Sequence, residues 1–216
     1  MKRSSSPEIM DNPGLPEETM HRVHRGLVRV SRYLGSIRAL ESLIKNDARP
    51  VRTVLDVGCG HGGLLLELKK RLPIEGFGVD LRVPEVPIPG IQIVKGDAVR
   101  DPLPSCDVAV ATYLIHHLSD CDVIRLTNNI GRSCRRFIFI EPVRGRVPLT
   151  LFTLFVGPFL DPINTHDGAQ SVRRSHTKEE LNTLVTRALA NSGSTFRHLV
   201  APLYMRQIID IAYEPT

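Results

Sequence analysis

Aromatic residues are scarce, at 5% of the 216-residue chain, and no block of lysine or arginine is interleaved with them. Proteins that hold single-stranded nucleic acid set aromatic platforms beside cations. A dedicated nucleic-acid binder is therefore not expected, even though the net charge is +5 and the pI is near 9.2. The arginines are instead spread over 22 to 38, 132 to 146 and 173 to 187, as on a solvated or anion-facing surface. Cysteine is also rare. The four, at 59, 106, 121 and 134, form no C-x-x-C pair and no pairing rhythm, so neither a zinc site nor a disulfide framework is suggested. No metal is expected, and a reduced, cytoplasmic setting is. No apolar segment follows Met1-Lys2-Arg3, so a secretory signal is not read and residues 1 to 16 read as a flexible tail. The longest apolar piece, Pro148 to Leu160, is shorter than the roughly 20 residues that span a bilayer. Repeats and low-complexity stretches are missing as well.

What the chain does have is 42% apolar content, enough for one buried core. It also has one stretch around which the rest is organised. Val54-Leu55-Asp56-Val57 reads as a buried strand, Gly58-Cys59-Gly60-His61-Gly62-Gly63 as a glycine turn, and Leu64 onward as a helix. α/β proteins present nucleotide-like ligands to such a turn at the carboxyl end of a strand. Gly58, Gly60 and Gly63 satisfy the dinucleotide pattern G-x-G-x-x-G, but Asp56 separates two readings. A carboxylate two positions before the first glycine would repel a diphosphate, whereas it would attract a ligand bearing an ammonium and a sulfonium. Leu55 to Gly62 resembles the first motif of the class I S-adenosylmethionine (SAM) dependent methyltransferases, hydrophobic-x-Asp/Glu-x-Gly-x-Gly-x-Gly.

The remaining motifs follow in order. Gly76 to Asp80 reads as a second strand ending in an acid placed to bind both ribose hydroxyls, a role that NAD shares. The proline-rich 83 to 89 should abbreviate the next crossover to a loop. Ile91 to Val94 is a third strand, followed by Asp97 and Ala98, which the resemblance assigns to the adenine amino group and ring. Cys106 to Thr112, with its polar approach from Leu103, resembles the family's fourth-strand motif. Leu114-Ile115-His116-His117-Leu118 resembles a Leu-His-His-Leu signature of small-molecule members. Thr112 and Tyr113 would border the methionine half of the cofactor. With Cys59 in the loop and Leu81 after the ribose acid, these residues make up the expected cofactor site. Arg136 to Ile140 is a fifth strand. The implied fold is α/β and Rossmann-like: a doubly wound, mostly parallel seven-stranded sheet with an antiparallel last strand.

Before this core, Val23, Leu27, Val30, Leu34, Ile37, Leu40 and Ile44 recur at helical spacing from Glu17 to about Asn46, as one helix or two broken near Gly35. Residues 17 to 48 are expected to form a helical lid, with Arg25, Arg29, Arg32 and Tyr33 either facing the pocket or serving as surface cations. After the core at 51 to 141, residues 142 to 176 read as a substrate-side insert. Its apolar part is a core helix, a pocket wall or a membrane-surface contact, and its polar part from Asp161 to Thr177 is turn-rich. Thr177 and Glu180 form a capping box. The helix they open runs to about Ala190, stopped by Asn191 and Gly193. Residues 177 to 216 close the domain with that helix and a hairpin from Phe196 to Tyr213.

The resemblance implies SAM as cofactor and transfer of its methyl group to an apolar small molecule, phenolic or polyketide-like. Oxygen is the favoured acceptor atom and the carbon of a quinone-type ring the alternative. Methyl transfer to RNA or protein is a further alternative. It is weakened because Ala111-Thr112-Tyr113-Leu114 stands where amino-group methylating enzymes carry Asn/Asp-Pro-Pro-Tyr/Phe. An oxygen acceptor must lose a proton, and histidine suits that task at cellular pH. His166, beside Asp167 and a turn at Gly168, and His116 are the candidate catalytic residues. The alternatives are a loop held by an Asx turn and a packing histidine, respectively. His61 is expected to contribute its backbone.

Overall fold

Residues 17 to 45 fold as two helices, α1 (Glu17–Tyr33) and α2 (Ser36–Lys45). Gly35 between them has φ 76°, a left-handed conformation that costs other residues about 1–2 kcal/mol, so the helix breaks at the glycine. Met20, Val23, Gly26 and Val30 of α1, then Ile37, Leu40 and Ile44 of α2, are buried apolar positions. Their spacing of three and four residues puts one face of each helix on the core. The computed structural model describes every residue except 87, 191, 215 and 216.

The sheet contains β1 (Thr53–Val57), β2 (Glu75–Asp80), β3 (Gln92–Lys95), β4 (Cys106–Thr112), β5 (Cys134–Glu141), β6 (Thr195–Val200) and β7 (Gln207–Ala212). Its order is β3-β2-β1-β4-β5-β7-β6. β1 to β5 pair in parallel, while β7 is antiparallel to both β5 and β6. The expected mostly parallel seven-stranded sheet with its antiparallel last strand is thus present. Helices α3 (Gly63–Lys69), α4 (Asp120–Gly131) and α7 (Lys178–Ala188) cover it.

Successive residues of a strand point to opposite faces, and the central strands serve two cores. Val54, Val108, Val110 and Ile138 pack with Ile37 and Leu40 of α2 and Leu65 and Leu68 of α3. Leu55, Ala109, Phe137 and Phe139 pack on the other side with Leu126 of α4 and Leu181 and Val185 of α7. Burial on both faces fits the apolar stretches Val108–Ala111 of β4 and Phe137–Ile140 of β5. Strand order reverses between β1 and β4, and in such sheets ligands bind in the crevice at that switch point, beyond the strands' carboxyl ends. That is where the glycine turn lies. The connection from β2 to β3 carries no helix among its described residues, as the prolines require.

Two expectations are corrected. The stretch from Asp161, read as turn-rich, is a helix, α6 (Pro162–Arg174), which follows α5 (Arg146–Phe155). Asp161 caps it by accepting from Ile163 N and Asn164 N, and Pro162 occupies the first turn, where no intrahelical N–H is needed. His166, Asp167 and Gly168 are therefore helical, and Gly168 makes room for the ring of Phe152 rather than a turn. The flexible tail is the second correction, because residues 3 to 11 lie along α6. Ser4 N donates to Arg173 O, Ile9 N and Met10 N donate to the two Asp167 oxygens, and Gln170 Nε2 donates to Ser6 O. The capping box of α7 is present, with Thr177 as cap. Asn191, read as a stop for that helix, lies outside the described residues.

Candidate functional site

Gly58, Gly60 and Gly62 have φ of 71°, 51° and 64°, so the turn after β1 needs residues without a Cβ. Gly58 N donates to Val79 O at 2.8 Å and Gly60 N to Asp80 Oδ2 at 2.7 Å. Asp80 Oδ1 accepts from Arg82 N at 2.9 Å. The acid that ends β2 is thus fixed against the turn, and each of its oxygens keeps lone-pair capacity for a ribose hydroxyl.

Asp56 sits inside the sheet between Gly78 of β2 and Val110 of β4, 2% exposed. Burial first, and the Asp80 charge second, push its carboxyl well above the usual carboxylate range. No cation among the described residues offsets them, which is the electrostatic setting a cationic ligand would relieve. The Cys59 thiol is pushed up by burial and by the same two acids, so it is a neutral thiol.

The other expected cofactor residues differ in readiness. Thr112 ends β4 half-buried, and Tyr113 after it has φ 58°, a strained conformation for a non-glycine, with its hydroxyl 3.0 Å from Ser36 Oγ. Asp97 is already engaged, with Oδ1 accepting from Val99 N and Oδ2 paired with Arg100. Ala98 gives its carbonyl to Asn129 Nδ2. Leu81 is exposed beyond Asp80.

α1 lies over the turn. A Cβ at Gly60 would stand 2.7 Å from His24 Nε2, and one at Gly63 2.6 Å from Val28 Cγ2. His24 Nδ1 is 2.5 Å from His61 Nδ1, and His61 Nε2 is 2.8 Å from Glu17 Oε1. The His61 ring therefore packs against α1. Burial chiefly, then His61, lower His24 to a pKa of about 4, so it is neutral. The reading of α1 named its arginines and overlooked His24, whose i and i+4 relation to Val28 was the available signal.

Arg25, Arg29 and Tyr33 line a cavity of about 440 Å³ together with Arg22, Val156, Phe159 and Leu160. Arg32 does not, being paired with Glu67 at 3.1 Å.

The two candidate bases are not brought to this cavity. His116 is buried with Nδ1 2.6 Å from Glu141 Oε2 and Nε2 3.2 Å from Glu8 Oε1. Burial opposes charge on the ring, but Glu141 and Glu8 outweigh it and raise the pKa to about 9. An imidazolium at neutral pH cannot accept a proton, which argues against its role as base. His166 is 56% exposed on α6, its Nδ1 2.8 Å from Asp167 Oδ1. Asp167 is buried and holds the N-terminal segment, so the pair has a packing task.

A family model described as a methyltransferase domain matches residues 28–150. The chain is 31% identical over 103 residues to O-methyltransferase aunE of Aspergillus niger, covering 43% of this chain and 26% of that protein. To indolepyruvate C-methyltransferase of Streptomyces griseus it is 28% identical over 114 residues, covering 45% of this chain and 35% of that protein. The chain thus spans only part of the length of these curated relatives. Among solved structures it is similar to human N-acetylserotonin methyltransferase in complex with SAM, with TM-score 0.65 and 16% identity, covering 93% of this chain and 57% of that one. The family match embraces the glycine turn, Asp56, Asp80 and all five parallel strands, and the chain belongs to the methyltransferase domain family.

Proposed function

We propose that the chain binds SAM across the glycine turn and transfers its methyl group to an apolar, phenolic or polyketide-like small molecule, with oxygen as the favoured acceptor atom. The observation that carries the cofactor half is the buried Asp56 facing Asp80, with no cation beside it among the described residues. Bound there, SAM supplies an electrophilic methyl on a sulfonium. Asp80 offers its carboxylate to the ribose, Asp56 its charge to the cationic end, and the glycines their close backbone approach. Asp97 can meet an adenine amino group only by sharing its oxygens with Arg100 and Val99 N.

The acceptor half rests on the cavity between α1 and the apolar segment after α5. Tyr33, Val156, Phe159 and Leu160 give it an apolar wall, the lining expected of a small-molecule site. In-line displacement needs the acceptor aligned and water excluded. α1 lies against both the glycine turn, through His24 and Val28, and this cavity, through Arg25, Arg29 and Tyr33. The proton of an oxygen acceptor needs a base, and no histidine lines this cavity among the described residues. Carbon methylation is the second reading, favoured by the likeness to a C-methyltransferase.

The test is transfer of labelled methyl from SAM to a panel of phenols, quinones and total RNA. Label in a phenol ether supports the proposal. Label only in RNA, or in no acceptor, overturns it, and label on ring carbon selects the second reading. Among the described residues no helix is long and apolar enough to cross a membrane.

A further inference from the structure

Three side chains that methyl transfer leaves unused meet under the N-terminal segment. One donor atom each of Glu8, His116 and His117 lies within 4.8 Å of the others. Glu8 and His116 are buried, and the His117 side chain is 22% exposed. The two imidazoles are held alike. His116 Nδ1 meets Glu141 Oε2 at 2.6 Å, and His117 Nδ1 meets Asp11 Oδ1 at 3.1 Å. This leaves both Nε2 atoms for Glu8: His116 Nε2 is 3.2 Å from Oε1 and His117 Nε2 is 3.7 Å from Oε2. His116 Nε2 is fully buried and, despite that proximity, has no aligned hydrogen-bond partner among the described residues.

A carboxylate on one ring nitrogen and a metal on the other is the usual arrangement of ligating histidines. Bonds of about 2.0–2.2 Å in a tetrahedral zinc site put neighbouring donors roughly 3.4 Å apart. The 3.2 and 3.7 Å separations bracket that spacing. Charge agrees. Among the described residues, Glu8, Asp11 and Glu141 are faced by one guanidinium, Arg174, 2.5 Å from Asp11 and 3.9 Å from Glu8. Two imidazoles and one carboxylate suit zinc and its borderline neighbours better than magnesium or calcium. The other histidine pair does not compete, because the 2.5 Å between His24 Nδ1 and His61 Nδ1 is too short for two ligands of one ion.

We propose that Glu8, His116 and His117 bind one divalent transition-metal ion of the zinc class, oriented by Glu141 and Asp11, and that this ion fastens the N-terminal segment to the turn after β4. The site is independent of the methyl acceptor and of SAM.

The experiment is titration of the tag-free, chelator-stripped full chain with Co(II), read by visible absorption, with Zn(II) as competitor. The expected result is saturation at one ion per chain, displacement by zinc, and at least a 100-fold weaker affinity in Glu8→Gln and in His117→Ala. The His24→Ala/His61→Ala double variant should bind as the parent does. No saturable binding by the parent overturns the proposal, and so does affinity that survives both ligand variants. If a variant fails to fold by circular dichroism, histidine ¹⁵N spectra of the parent decide. Zinc must then shift the Nε2 resonances of His116 and His117, and unshifted resonances overturn the site.

Discussion

Replacing Asp56 by asparagine removes a charge without changing volume, and the structure assigns that charge two opposing effects. In the cofactor-free protein the carboxyl is buried beside Asp80 and its pKa is raised above the unfolded value. Between those two pKa values the folded state binds more protons than the unfolded state, so stability falls as pH rises through that window. Asparagine escapes this loss, and each pKa unit is worth about 1.4 kcal/mol. Asp56→Asn should therefore raise the melting temperature of the free protein at neutral pH, with no gain at pH 3. Ligand binding should move the other way. A unit charge about 5 Å away at an effective dielectric near 20 is worth roughly 3 kcal/mol, which is on the order of 100-fold in affinity. Calorimetry should show SAM binding weakened by about that factor, and binding of 5′-methylthioadenosine, which lacks the amino acid end, nearly unchanged. Equal loss of both ligands, or SAM bound as tightly as by the parent, would refute the electrostatic role.

Gly60→Ala should cost about 1–2 kcal/mol of stability in urea unfolding, because φ is 51° there and the new Cβ meets His24; it should also weaken cofactor binding. Asp167→Ala strips the acceptor from Ile9 N and Met10 N, about 1–3 kcal/mol for each group left unpaired. Faster proteolysis within residues 1 to 16 should accompany it, and an unchanged cleavage rate would show that the segment is held elsewhere. His166→Ala should leave turnover within about twofold, since the ring is exposed and outside the cavity lining; a fall of tenfold or more would restore it as a base.

The core was legible because its signals are local. Strand, glycines and the acids at 56 and 80 stand within about 25 residues, and both-face burial leaves apolar stretches at 108–111 of β4 and 137–140 of β5. α6 was misread because its buried face is polar. Asn164, Asp167 and Gln170 point inward, so no apolar stripe marks the helix, and only Asp161-Pro162 announced it. The N-terminal segment was misread for a related reason. Glu8 and Arg3 look like tail residues until partners more than 100 positions away, His116 and Arg174, are brought beside them. The environment of His116 was hidden too, because Glu8, 108 positions away, and Glu141, 25 positions away, meet it only in the fold.

The central claim is that the glycine turn holds a sulfonium nucleoside rather than a dinucleotide. Calorimetric titration with S-adenosylhomocysteine and with NAD, on the parent and on Asp80→Ala, tests it most directly. One site for S-adenosylhomocysteine, none for NAD, and at least tenfold weaker binding when Asp80 no longer holds Gly60 and the ribose are the expected results. Binding of NAD at this site, or no binding of either nucleoside by the parent, would contradict it.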